Sequence, residues 1–229
     1  MLLWANYPGL SLSPQLTNAM FTHLQTLPST ALFAGLAVAA RDFGLSQGET
    51  AWISTAISLS SGSFLLLGGR LADLYGRKLI LIISFLISAV WSIVAGFSHN
   101  RYLFLVARGF QGLAAAGAIP AGLGILGSNY GPGKRKNKVF AAFSAANPVG
   151  AAFGLVIGGV LTSYVTWRWM MWIFGIFQVI VTITSVFMIP KDVKNPGPPE
   201  RIDLLGAFFA TAGLILFCFA LTYLCLRVE

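Results

Sequence analysis

The sequence predicts an all-α membrane protein: a helical bundle built of inverted three-helix repeats, with one additional span. Three observations carry this. Of the 229 residues 56% are hydrophobic and only 10% charged, with a mean hydropathy of +0.78, more apolar surface than a soluble domain of this length could bury. Apolar runs long enough to cross about 30 Å of hydrocarbon as helices recur along the chain. The cations between those runs alternate in density from one loop to the next.

The runs lie at about residues 15–40, 50–69, 79–98, 102–128, 139–162, 169–189 and 204–225, seven spans in all. His23, Gln25 and Pro28 interrupt the first. Residues 1–189 are thus read as a six-span bundle, 190–203 as a cytoplasmic linker and 204–229 as the seventh span. The N-terminus, MLLWANYPGL, lacks the basic segment and small-residue cleavage site of a secretory signal, so no cleavage is expected. Cys218 and Cys225 are expected on one face of the last span as small hydrophobes, with no disulfide or metal site.

Loops after the second, fourth and sixth spans hold ten cations: Arg70, Arg77, Lys78, Lys134, Arg135, Lys136, Lys138, Lys191, Lys194 and Arg201. The alternate loops and the C-terminal end hold Arg41, Arg101, Arg168 and Arg227. Positive charge marks the cytoplasmic side, which puts the N-terminus inside and the C-terminus outside. Most of the formal charge of +8 is therefore a topology signal and points to no nucleic acid partner. The GKRKNK run also offers contact with anionic headgroups.

A faint repeat appears at an offset of ninety residues. It pairs Gly68 with Gly158, Gly69 with Gly159, Leu71 with Leu161 and Lys78 with Arg168, at span ends on opposite sides of the membrane. Inverted repeats of three spans are how many secondary transporters are built, with the substrate site near the midplane.

The second loop reads GGRLADLYGRK, residues 68 to 78. Its glycines permit a tight reversal, Asp73 can pair with a nearby cation, and Arg77 and Lys78 are expected to face the cytoplasm. The fourth span carries RGFQG, with Arg108, Gln111 and Gly112, and the fifth carries GAAFGLVIGGVL, residues 150 to 161. Glycines at i, i+4 and i+8 form a smooth face for close helix packing whatever the function.

These stretches resemble three motifs of the major facilitator superfamily. The loop is similar to its signature G-x-x-x-D-[RK]-x-G-[RK]-[RK], with Leu74 where a basic residue is common. The resemblance implies a conformational latch made by Gly69, Asp73, Gly76, Arg77 and Lys78. RGFQG resembles the fourth-span motif R-x-x-Q-G, which is associated with proton coupling. The fifth-span run is similar to the antiporter motif G-x-x-x-G-P-x-x-G-G, with Gly150, Gly154, Gly158 and Gly159 in register and Leu155 in place of the proline. The run PPERIDLLG before the last span, and the wording of GRLADLYGRK and ILGSNYGPGKRKN, most resemble fungal members of the fourteen-span drug:proton antiporter group. Relatives there are linked to drug, ammonium or borate movement.

The resemblance implies the N-terminal half of a transporter that moves a small-molecule solute by alternating access, with protons as the coupling ion and export as the direction. It also implies a multi-pass protein of the plasma or vacuolar membrane whose partners are the lipid bilayer and a second helical bundle absent from this chain. The competing reading is a non-transporting membrane fragment of such a protein. No enzyme activity and no cofactor are expected. G-x-S-x-G, H-E-x-x-H and C-x-x-C are missing, and GLGILG at 122–127 fits the dinucleotide pattern only inside an apolar span.

Arg108 is the residue that needs a reason. Arginine at the centre of a span costs about 2.5–3.5 kcal/mol on insertion scales. At roughly 9 Å from the start of its span it can snorkel outward or face the bundle beside Gln111. No acid lies within the first six spans, so a coupled proton would be carried by Glu49, by His23 or by a carboxylate of the second half.

Overall fold

The computed structural model describes residues 26–129 and 131–189, together with 206, 209, 211–217 and 220. Six helices follow one another: α1 (Thr26–Asp42), α2 (Gln47–Tyr75), α3 (Arg77–Phe97), α4 (Arg101–Asn129), α5 (Lys134–Tyr164) and α6 (Trp167–Met188). Beyond them residues 211–217 are helical, inside the expected seventh span. The start of the first span, His23, the linker and both cysteines lie outside the described residues. Helices α2 to α6 are each long and apolar enough to cross a membrane.

The side chains are distributed as lipid demands. On α3 the buried face is Leu81, Ser84, Phe85, Ser88, Ala89, Ser92, Ala95 and Gly96. Its exposed face is Leu79, Ile83, Leu86, Val90 and Phe97. All three serines turn inward beside Leu81 and Phe85 while a row of large apolar side chains turns outward, unlike a soluble helix, because hydrocarbon solvates leucine as well as a protein core does. The outward row Ile173, Ile176, Ile180, Ile183 and Phe187 of α6 repeats the pattern.

Helix α2 packs along α4 and α1 along α5, while α3 lies against both α4 and α6. Exchanging the first three helices for the second three maps the α2–α4 pair onto α5–α1, as an inverted repeat requires. The offset of ninety is visible in atoms. A Cβ on Gly68 would run into the Ala116 carbonyl of α4, and one on Gly158 would run into the Ala31 carbonyl of α1. Each glycine lets two backbones approach where any larger residue would hold them apart. The match is incomplete at the next pair, since Gly69 faces Pro120 and Gly159 faces nothing within 4 Å.

At the end of the bundle where α1 turns into α2, Trp167 is fully buried and packs on Phe43 and Phe104, with ring centroids at 5.4 and 5.1 Å. Its indole Nε1 donates to Asp42 Oδ2 at 2.7 Å. Close by, Ser46 and Glu49 form a reciprocal capping box that starts α2, and Arg101 of α4 donates to Glu49 Oε1 at 2.9 Å. The opposite end is the loop at Gly76.

Candidate functional site

The reversal between α2 and α3 takes a single residue. Gly76 has φ 104° and ψ 131°, in the positive-φ region that side chains disfavour, and its N–H closes α2 on the Ala72 carbonyl. That turn sets Asp73 and Arg77 four residues apart across the break. Arg77 donates to Asp73 Oδ1 from Nε at 3.2 Å and Nη2 at 2.9 Å. Its Nη1 reaches the Gly124 carbonyl of α4 at 2.8 Å.

Arg77 and Lys78 therefore do not simply face solvent, as the charged loop suggested. Arg77 lies across α4, and Lys78 donates from Nζ to the Val186 carbonyl at the end of α6 at 2.9 Å. The last carbonyls of α6 have no intrahelical donor, so the neighbouring Lys78 satisfies them; the Gly124 carbonyl lies five residues before the end of α4, where the missing side chain leaves room for Arg77. Gly124 explains part of GLGILG. A Cβ there would occupy the place of the Arg77 guanidinium, so this glycine is a seat for an arginine. The stretch is helical throughout, within α4, with no preceding strand for a nucleotide.

Arg108 points into the bundle. It is 2% exposed, and its Nη1 donates to Gln111 Oε1 at 2.9 Å on the same face of α4. Its Nε–H is buried with no acceptor among the described residues. Gly112 next to this pair brings α4 against the Ile57 carbonyl of α2. The snorkelling alternative fails here because the guanidinium is covered by protein. The acids among the described residues, Asp42, Glu49 and Asp73, all sit at or beside helix ends.

The remaining expected residues divide. Gly150, Gly154 and Gly158 are buried on α5, and Gly154 and Gly158 abut Leu27, Thr30 and Ala31 of α1. Gly159 is off that face. Glu49 is exposed and engaged by Ser46 and Arg101. Sequence reasoning missed Asp42, Trp167 and Gly124. The run WRWMMW at the start of the sixth span was the signal for Trp167, since a polar-tipped aromatic at a span end seeks a partner.

Residues 19–227 match the family profile of the Major Facilitator Superfamily. The chain belongs to the major facilitator superfamily. Among similar facilitators, the low affinity ammonium transporter of Saccharomyces cerevisiae is 38% identical over 196 residues, covering 82% of this chain and 38% of that protein. The multidrug transporter mdr3 of Aspergillus fumigatus is 35% identical, covering 79% of this chain and 36% of its own length. The puromycin resistance protein pur8 of Streptomyces alboniger is 32% identical, covering 86% and 39%. In structure the chain resembles a peptide transporter POT solved as its E310Q mutant with sulfate. The TM-score is 0.70 at 16% identity, over 93% of this chain and 45% of that one. The facilitator chain described here thus spans 38% of the yeast ammonium transporter and similar shares of the others.

Proposed function

We propose that this chain is the N-terminal bundle of a proton-coupled facilitator that exports a small solute by alternating access. Arg108 carries the reading. A guanidinium buried in a span is expensive and is kept where a pathway or a coupling step uses it. Always charged, it cannot itself carry the proton; it attracts an anionic group or biases a titrating neighbour. Glu49 fits a structural task better, engaged as it is by Ser46 and Arg101. The carrier is then His23 or a carboxylate of the second bundle. Export is supported by relatives named as a multidrug transporter and an efflux pump. Those names, with the ammonium transporter, favour transport over an inert fragment.

In this reading Asp73, Gly76, Arg77 and Lys78 form the latch on the cytoplasmic side, Gly69 adjoins it, and the N-terminus is cytoplasmic. The solute site lies between this bundle and the second, in the plasma or vacuolar membrane. Arg108→Ala in the full-length protein should abolish flux with expression and targeting intact, and Arg108→Lys should not restore it. Transport at the wild-type rate by the alanine variant would remove Arg108 from the pathway. Flux insensitive to an uncoupler would remove the proton.

A further inference from the structure

We infer that Lys78 and Arg168 are a symmetry-related pair of helix-end clamps that hold α3 and α6 as one unit, and that Lys78 thereby ties the signature loop to the chain leaving α6. Lys78 opens α3 and donates to the carbonyls of Val186 and Ile189 at the end of α6. Arg168 opens α6 and donates from Nη1 to the Ser98 carbonyl, which closes α3, at 2.8 Å. Each cation at the start of one helix thus caps the end of the other. The two helices run antiparallel, with a clamp at each end.

The reciprocity follows the sequence offset. Lys78 plus ninety is Arg168, and Ser98 plus ninety is 188, between the two carbonyls that Lys78 uses. A helix end leaves its last carbonyls without intrahelical donors and carries partial negative charge, so a cation from the neighbouring helix satisfies both. Both side chains could have extended to the headgroups. They are instead half-buried and spent on backbone. Arg168 also lies 5.0 Å from the Trp167 ring centroid, which fixes its direction.

Between the clamps the helices touch closely. Ser92 Oγ donates to the Met171 carbonyl at 2.8 Å, and a Cβ on Gly175 would lie 3.3 Å from the Ala89 carbonyl. The two adjacent cations of the loop have separate destinations. Arg77 serves α2 and α4 and Lys78 serves α6, so displacement of the loop frees the end of α6 as well as the face of α4.

Hydrogen exchange on the chain in lipid nanodiscs tests this, because it reads each helix end separately. Lys78→Met should speed exchange in the last turn of α6 about five- to tenfold while the last turn of α3 keeps its protection. Arg168→Met should do the reverse, and Lys78→Arg should retain protection at α6. An unchanged α6 end in Lys78→Met, or faster exchange spread evenly over all six helices in either methionine variant, would overturn the inference.

Discussion

At the Asp42 end of the bundle an apolar, covered cluster lies beneath the exposed Arg101–Glu49 pair: Trp167 is 0% exposed between Phe43 and Phe104, and its one polar atom is satisfied by Asp42. At the Gly76 end the contacts are charged and open, with the side chains of Arg77 and Asp73 33% and 54% exposed. Aromatic burial is worth several kcal/mol and is indifferent to salt, whereas a partly exposed ion pair contributes at most about 1 kcal/mol and is screened. The aromatic contacts are thus costly to separate, and the Arg77–Asp73 contact is cheap to break.

Variants at the two ends should respond in that order. Trp167→Ala should cost the most, about 3–5 kcal/mol, read as a large fall in thermal midpoint in detergent micelles; a small fall would show that the aromatic cluster is not what holds that end. Asp42→Ala, which leaves a buried indole N–H unpaired, should cost about 1–3 kcal/mol. Gly124→Leu should cost a similar amount by overpacking against Arg77, and in the full-length transporter it should also slow turnover by displacing the guanidinium from Asp73. Asp73→Asn should be the mildest for stability, below about 1 kcal/mol, yet slow turnover with little loss of substrate binding. If Asp73→Asn lowered stability as much as Asp42→Ala, the contrast between the ends would collapse.

The helices were legible because each span needs a long apolar run, and the runs at 79–98 and 102–128 became Arg77–Phe97 and Arg101–Asn129. Two helices outran the prediction. The run at 50–69 extends to Tyr75 through the charged loop, and the run at 139–162 begins at Lys134 inside the basic segment. An apolar run measures the hydrocarbon a helix crosses and not the helix, which continues into the headgroups with polar residues. At the site, Arg108 and Gln111 were legible because three residues apart on a helix means one face. Arg77 to Gly124 and Trp167 to Asp42 were not, because neither residue carries a mark of a partner 47 or 125 positions away. Lys78 and Arg168 lie between these cases: the offset pairs them, but what each one holds depends on the packing of α3 against α6.

The serine-lined inner face of α3 bears on how this bundle comes apart. Ser84, Ser88 and Ser92 are turned inward while Leu79, Ile83 and Leu86 face lipid, and helices that separate in a bilayer meet hydrocarbon and not water, so no hydrophobic penalty opposes their separation. Helices that have lost their neighbours remain inserted, because their backbone hydrogen bonds have no competitor in hydrocarbon. Heating should therefore dissociate α3 from α4 and α6 well before it melts any of them. Far-ultraviolet circular dichroism would stay nearly flat through that transition, while tryptophan fluorescence would report it, since Trp91 of α3 stacks on Phe110 of α4 at 4.2 Å and Trp172 of α6 lies 5.0 Å from Phe97 of α3.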